Sequence, residues 1–175
     1  MPEPARPRRS VLYMPGAKAR AIEKSRGLPA DALILDLEDA VGPTEKELAR
    51  DLVVGALKEG GFGLREIIVR VNGLDTEWGE ADIRAAAAAA PDAILVPKVG
   101  SAADLHAVEK LMDEAGAPAT TRIWAMMETP IGILNAREIA EATPRLACFV
   151  MGTNDLVKEL EAAHTDARTE VMTSL

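Results

Sequence analysis

The sequence predicts an α/β fold, a TIM-type (β/α)8 barrel, with about the first six βα units present in this chain. Three observations carry that expectation. Apolar runs of strand length alternate with segments of helical periodicity, the pattern of βα units and a parallel sheet. The runs are near-continuously apolar, as strands covered on both faces are. Nearly every run ends on a polar or charged residue. A barrel gathers its strand ends at one mouth, whereas an open doubly wound sheet uses mainly its switch point.

The first strand, 10–13, stops at Met14-Pro15-Gly16, and a helix follows over 18–25 with Lys18, Arg20 and Lys24. The second strand, 32–37, runs straight into Glu38-Asp39, and Gly42-Pro43 then breaks the chain. Thr44, with Glu47 three residues on, reads as a capping box for a helix that Gly60-Gly61 stops. The third strand, 66–71, carries Arg70 and leads to Asn72. A loop with Asp75, Thr76 and Trp78 then enters an alanine-rich helix that ends before Pro91. The fourth strand, 93–96, closes on Pro97-Lys98, and helix 101–115 presents Leu105, Val108, Leu111 and Met112 on its apolar face. The fifth, 123–127, ends on Glu128. Thr129-Pro130 opens the next helix, since proline suits a first turn, and Ile131, Ile133, Leu134 and Ile139 form its apolar side. The sixth, 146–151, ends Gly152-Thr153-Asn154-Asp155, followed by helix 156–163 and a helical tail, 165–175.

Met14-Pro15-Gly16-Ala17 is not the glycine-rich turn of a dinucleotide sheet, and there is no Walker A loop. One domain, 1–175, is expected, as a C-terminally incomplete barrel. Eight βα units usually occupy about 250 residues, and two unpaired edges would expose backbone donors. A further segment or another chain is expected to complete the sheet.

A chain of 175 residues can bury a sizeable core. With 48% apolar and 27% charged residues its balance is globular rather than disordered. A net charge of -8 argues against nucleic acid or an anionic membrane as the main partner, while leaving room for one local phosphate pocket. The alanine run 85–90 is far too short to span a bilayer, and residues 1–9 lack the apolar core of a secretory signal. The single cysteine, Cys148, forms no intramolecular disulfide and, among apolar neighbours, is expected as a buried strand thiol. A cytoplasmic protein is predicted.

Glu128 and Asp155 follow consecutive buried strands, so a parallel barrel sets both at one mouth. Two hard oxygen ligands with room for water suit Mg²⁺; capping or dipole pairing at helix starts would also explain them. Arg70 sits in an otherwise apolar strand. Its planar fork suits a carboxylate or an enolate oxygen, or a structural ion pair with Asp39 or Glu38. Glu38 and Asp39 read either as base or supporting ligand, or as partners of Arg70 or Lys98. Lys98 is read as an orienting cation rather than a Schiff-base amine, which would need a strongly lowered pKa. Lys18 and Arg20 suit a phosphate-bearing tail or a solvated helix face. His106 and His164 stand at no strand end and are read as surface residues, and the scarcity of histidine counts against a Ser-His-Asp triad or a zinc site.

Six motifs then arrive in order: RSVLYMPG (9–16), DLEDAV (36–41), VRVN (69–72), VPK (96–98), METPIGILN (127–135) and GTNDL (152–156). Together they resemble the HpcH/HpaI aldolase–citrate lyase family, in its citrate lyase beta subunit-like branch. The resemblance implies a (β/α)8 barrel assembled as homotrimers or hexamers. It implies Mg²⁺, with Mn²⁺ as an alternative, on Glu128 and Asp155, and Arg70 on the substrate's oxygens. Lys18 and the first loop would lie near a CoA tail, and Thr129 and Pro130 join the substrate-binding set. Glu38, Asp39 and Lys98 would complete the catalytic network. The implied reaction cleaves or forms a carbon–carbon bond of a 3-hydroxy acyl thioester, such as citryl-, malyl- or citramalyl-CoA, giving acetyl-CoA and a keto acid. The acyl group would be carried by CoA or by a carrier protein. Two other readings are a class II pyruvate-type aldolase on free hydroxy-keto acids and a truncated, non-catalytic barrel subunit.

Overall fold

All six apolar runs form strands, and they pair in parallel in strict chain order. The computed structural model describes residues 6–175. The strands are β1 (Val11–Pro15), β2 (Ala32–Asp36), β3 (Glu66–Arg70), β4 (Ala93–Val96), β5 (Arg122–Met127) and β6 (Leu146–Met151). The helices are α1 (Ala19–Ser25), α2 (Lys46–Glu59), α3 (Gly79–Ala89), α4 (Ala102–Glu114), α5 (Pro130–Leu134), α6 (Ala136–Ala140) and α7 (Thr153–Glu159). The sheet does not close: β1 and β6 are its two edges.

The two faces of the sheet are covered differently, which separates a barrel from a doubly wound sheet. One face, with Leu33, Leu35, Val69, Ile94, Ile123 and Ala125, packs on α1 to α4 and α6 through Ile22, Val53, Ile83, Leu105 and Ile139. The other face carries Ile34, Ile68, Leu95, Trp124 and Met126, a cluster made of strand residues only. No helix among the described residues covers it, yet Ile34, Ile68 and Leu95 have no exposed surface. The sheet therefore curls so that this inner face packs on itself, and the Tyr13 hydroxyl of β1 reaches the Met126 sulfur of β5 at 3.7 Å. At the amino end of the strands Arg8 grips buried Glu66 through two bonds of 2.7 and 2.8 Å. The same guanidinium stacks 5.0 Å over the Trp124 ring and closes that end of the inner face.

Several expectations are corrected. Thr44 and Glu47 make no capping box: a 3-10 turn, Pro43–Glu45, leads in, and α2 starts at Lys46 without a side-chain cap. The box lies instead at the start of α4, between Ser101 and Asp104. The helix expected after Pro130 breaks in two at Asn135, whose amide donates 2.8 Å to the Gly100 carbonyl; Ile131 and Leu134 face solvent. The helix after β6 begins at Thr153, earlier than expected, so Asp155 lies in its first turn. The tail 165–175 is not helical beyond a 3-10 turn at Thr169–Val171. Cys148 is half-buried rather than buried, because β6 is an edge strand. His106 is exposed, as expected, with its Nε2 2.9 Å from the Ala142 carbonyl. No helix among the described residues is long and apolar enough to cross a membrane.

Candidate active site

Side chains alternate along a strand, so the residues two beyond Ile34 and Ile68 share the inner face. They are Asp36 and Arg70, which are also register partners at the ends of β2 and β3. Asp36 takes the guanidinium in a bidentate grip, 2.7 Å from Nε and 2.6 Å from Nη2. The same carboxylate accepts the main-chain N–H groups of Glu38 at 2.9 Å and Ala40 at 3.1 Å. One buried acid thus folds the turn after β2 and fixes Arg70.

The remaining nitrogen of the fork, Nη1, lies 2.8 Å from Glu38 Oε2 and 3.2 Å from Asp39 Oδ2. The Glu38 contact is close but misaligned, so that oxygen is buried without a hydrogen bond. Tyr13 sets its ring 5.0 Å from the guanidinium carbon. Burial alone would lower the Arg70 pKa, but the hydrogen bonds and charge of Asp36, with Glu38 and Asp39, outweigh it and hold the side chain protonated.

Burial pushes the Glu38 carboxyl up to about 7, against the pull of Arg70 and with added repulsion from Asp39, Glu128 and Asp36. Its ordinary value is 4.5. Between those two values the folded protein binds a proton that the unfolded chain has released, so stability falls as pH rises through this window. In urea titrations at pH 5, 6, 7 and 8, Glu38→Gln is expected to flatten that decline. An unchanged slope would show that Glu38 is not the group responsible.

Glu128 stands at the end of β5, 1% exposed. Its Oε1 accepts the Lys98 main-chain N–H at 2.8 Å. Its other oxygen faces the turn after β6, where a Cβ on Gly152 would fall 2.5 Å from both Glu128 Cβ and Oε2. Only glycine permits this approach, and through it the first turn of α7 brings Asp155 to the same cavity. Burial raises the Glu128 pKa, the Lys98 N–H opposes the shift, and the Asp155 charge adds to it.

Tyr13, Asp39, Arg70, Glu128, Gly152 and Asp155 thus line one cavity of about 320 Å³ at the carboxyl end of the strands. Two larger hollows exist, about 510 Å³ beside Arg6 and Glu66 and about 490 Å³ between α1 and α2. Both also carry opposed charges, but in the first Glu66 and Asp31 are taken up by bidentate pairs with Arg8 and Arg9, and in the second the acids are exposed; chemistry rather than size selects the smaller one.

The other sequence-predicted residues do not line it. Lys98 has a left-handed backbone, φ 51, a conformation disfavoured outside glycine and often found at functional sites. It supports Glu128 through its N–H; its side chain is exposed and joins no ion pair among the described residues. Lys18 is exposed, with its ammonium 3.7 Å from Glu45. Thr129 caps α5 by accepting the Gly132 N–H at 3.1 Å, and Pro130 is the first residue of that helix. Sequence reasoning missed Tyr13 and Asp36. The signal for Asp36 was available: a carboxylate inside an apolar strand, one strand away from the equally anomalous Arg70.

Among the described residues no three histidine, cysteine or acidic side chains form a metal cluster. The two carboxylates fit a hard cation that keeps water and substrate oxygens in its shell. The Asp155 charge is close enough to raise the Glu128 pKa, and among the described residues the one donor to the Glu128 carboxylate, the Lys98 N–H, goes to Oε1.

The family model for HpcH/HpaI aldolase/citrate lyase matches residues 9–175. A (3S)-malyl-CoA thioesterase of Cereibacter sphaeroides (strain KD131 / KCTC 12085) is 54% identical over the whole chain, which covers 59% of that protein. The citrate lyase subunit beta of Escherichia coli (strain K12) is 40% identical over 95% of the chain, covering 57% of its own length. The chain therefore spans a little over half of the curated relatives it matches. Among solved structures, RipC from Yersinia pestis superposes with a TM-score of 0.75 at 32% identity, over 95% of this chain and 66% of that one. The protein CitE from Mycobacterium tuberculosis, in complex with magnesium, acetoacetate and coenzyme A, gives 0.72 at 26% identity, over 96% and 61%.

Proposed function

The chain belongs to the HpcH/HpaI aldolase/citrate lyase family, and we propose that it carries the active site of a Mg²⁺-dependent enzyme acting on a malyl-CoA-type thioester. The reaction proposed is carbon–carbon cleavage, or its reversal, between a thioester enolate and a keto acid. The observation that carries this reading is the convergence of Glu128 and Asp155 on one cavity with Arg70, a guanidinium held in place by buried acids. Relatives solved with magnesium, acetoacetate and coenzyme A support it.

In this reading Glu128 and Asp155 hold the metal, with Mn²⁺ as an alternative. When bound, the ion would polarise a carboxylate and the neighbouring hydroxyl or carbonyl oxygen of the substrate. Arg70 supplies the fixed positive partner for charge developing on the enolate oxygen, and its preset orientation means little reorganisation during the reaction. Tyr13 packs on the guanidinium and restricts its swing. Glu38 and Asp39 position Arg70, and Lys98 orients Glu128 through its main chain. Lys18, Thr129 and Pro130 are assigned to the substrate's approach, with Lys18 toward the CoA phosphates. A homo-oligomer, trimeric or hexameric, is proposed as the working assembly.

A second reading is hydrolysis of the same thioester, favoured by the 54% identity to a protein named a (3S)-malyl-CoA thioesterase. Product analysis separates the two. With (3S)-malyl-CoA and Mg²⁺, cleavage is expected to yield acetyl-CoA and a keto acid in equal amounts. Hydrolysis would yield free CoA thiol and no keto acid. Absence of both, with citryl- and citramalyl-CoA also inert, would overturn the thioester assignment.

A further inference from the structure

Behind the acids that hold Arg70 lies a charge that the site does not touch. Lys46, the first residue of α2, is 6% exposed. Its ammonium donates to three neutral oxygens: the Leu37 carbonyl at 2.8 Å, the Glu38 carbonyl at 2.7 Å and Asn72 Oδ1 at 2.7 Å. An ammonium has three donors, so all are used, and none goes to a carboxylate. The Trp78 ring lies 5.4 Å from it.

The acceptors are themselves pinned. Asn72 donates its side-chain amide to the Leu37 carbonyl at 2.9 Å and to Asp82 Oδ2 at 2.6 Å. Its main-chain N–H reaches the same Asp82 oxygen at 3.1 Å. Asp82, with no exposed surface, takes Arg50 Nε at 2.6 Å on its other oxygen. The chain of contacts runs from α3 and α2 to two successive carbonyls, those of Leu37 and Glu38. The second belongs to the residue whose carboxylate sits on Arg70 Nη1.

We propose that Lys46 is a positioning residue for this site: by fixing the Leu37 and Glu38 carbonyls it sets the Glu38 carboxylate against Arg70. The proposal rests on the reading of Arg70 as the group that binds the substrate's oxygens. A neutral donor could hold a turn. A buried ammonium costs desolvation, and burial does lower the Lys46 pKa, against the pull of Asp36, Glu38, Asp82 and Asp39. What the charge adds is compensation: Arg70 alone faces Asp36, Glu38 and Asp39, and Lys46 supplies the second positive charge behind them.

The test is a double-mutant cycle on the full-length protein, with Lys46→Met, Glu38→Gln and the pair, read in kcat and KM with (3S)-malyl-CoA and Mg²⁺. Lys46→Met is expected to lower kcat about 10-fold or more with KM changed little, and to add little on top of Glu38→Gln. That is the non-additivity of residues acting in one network. Asn72→Ala keeps the ammonium, removes one of its acceptors and is expected to fall between Lys46→Met and wild type; it also serves if Lys46→Met fails to fold. The second readout needs no turnover: the ¹⁵N resonance of Arg70 Nη1, expected to move both in Glu38→Gln and in Lys46→Met. Additive losses, or an Arg70 signal unmoved in either Lys46→Met or Asn72→Ala, would overturn the proposal. Arg70→Ala with full turnover would instead remove the assignment of Arg70, while the resonance still reports on Lys46.

Discussion

Glu128→Gln is expected to reduce Mg²⁺-dependent turnover by about 10³-fold, since a metal's charge stabilisation is worth several kcal/mol. The protein is expected to stay folded, for a structural reason. Glutamine keeps the shape of the side chain, and its carbonyl oxygen can still accept the Lys98 N–H that Glu128 Oε1 accepts at 2.8 Å. It also removes a buried charge whose pKa burial has already raised, so unfolding stability is expected to hold or rise. What is lost is one anionic oxygen facing Asp155. The measurement pairs turnover with a thermal melt recorded with and without Mg²⁺. Wild type should gain stability from the ion by mass action, and the variant should not. Turnover unchanged in the variant would rule out the metal assignment.

Much of this arrangement is legible in the sequence because it depends on strand periodicity. Arg70, Glu128 and Asp155 stand out as charges at the ends of apolar runs, and parallel strands in chain order must bring such ends together. Side-chain identity at a strand end says less about direction. Lys98 reads as a cation in the site, whereas the structure uses its N–H and leaves the ammonium in solvent. Asp36 is hidden by its own motif. Beside Glu38 and Asp39 it reads as one of three acids; its place inside the apolar strand sets it apart, and the register with Arg70 gives its role. The errors in helices also have local causes. Residues 165–175 carry three threonines, an aspartate and a serine, all weak helix formers, and bury little beyond Val171; short helices without an apolar face to pack are marginal in water. The helix after Pro130 breaks because Asn135 is drawn to the Gly100 carbonyl, a contact between loops distant in sequence.

The largest stability effect is expected at Asp36. Four donors converge on this one carboxylate: Arg70 Nε and Nη2 and the N–H groups of Glu38 and Ala40. In Asp36→Asn one oxygen becomes an NH₂ that points at a donor, and Arg70 is left buried with a weaker partner. Removing one member of a buried ion pair typically costs about 3–5 kcal/mol, which for a chain of this size lowers the melting temperature by about 10 °C. Glu38 and Asp39 are poor substitutes. Glu38 Oε2 is close to Nη1 but misaligned, and Asp39 is mostly exposed, where an ion pair contributes little. Activity is expected to fall further than stability alone explains, because the guanidinium loses its fixed direction. With a thioester substrate near saturation, kcat should drop by about 10²-fold at a temperature where the variant is still folded, the scale of losing one preset charge donor. A variant that melts lower yet turns over normally would show that Asp36 serves the fold alone. A variant that melts like wild type would show that Arg70 has another anchor.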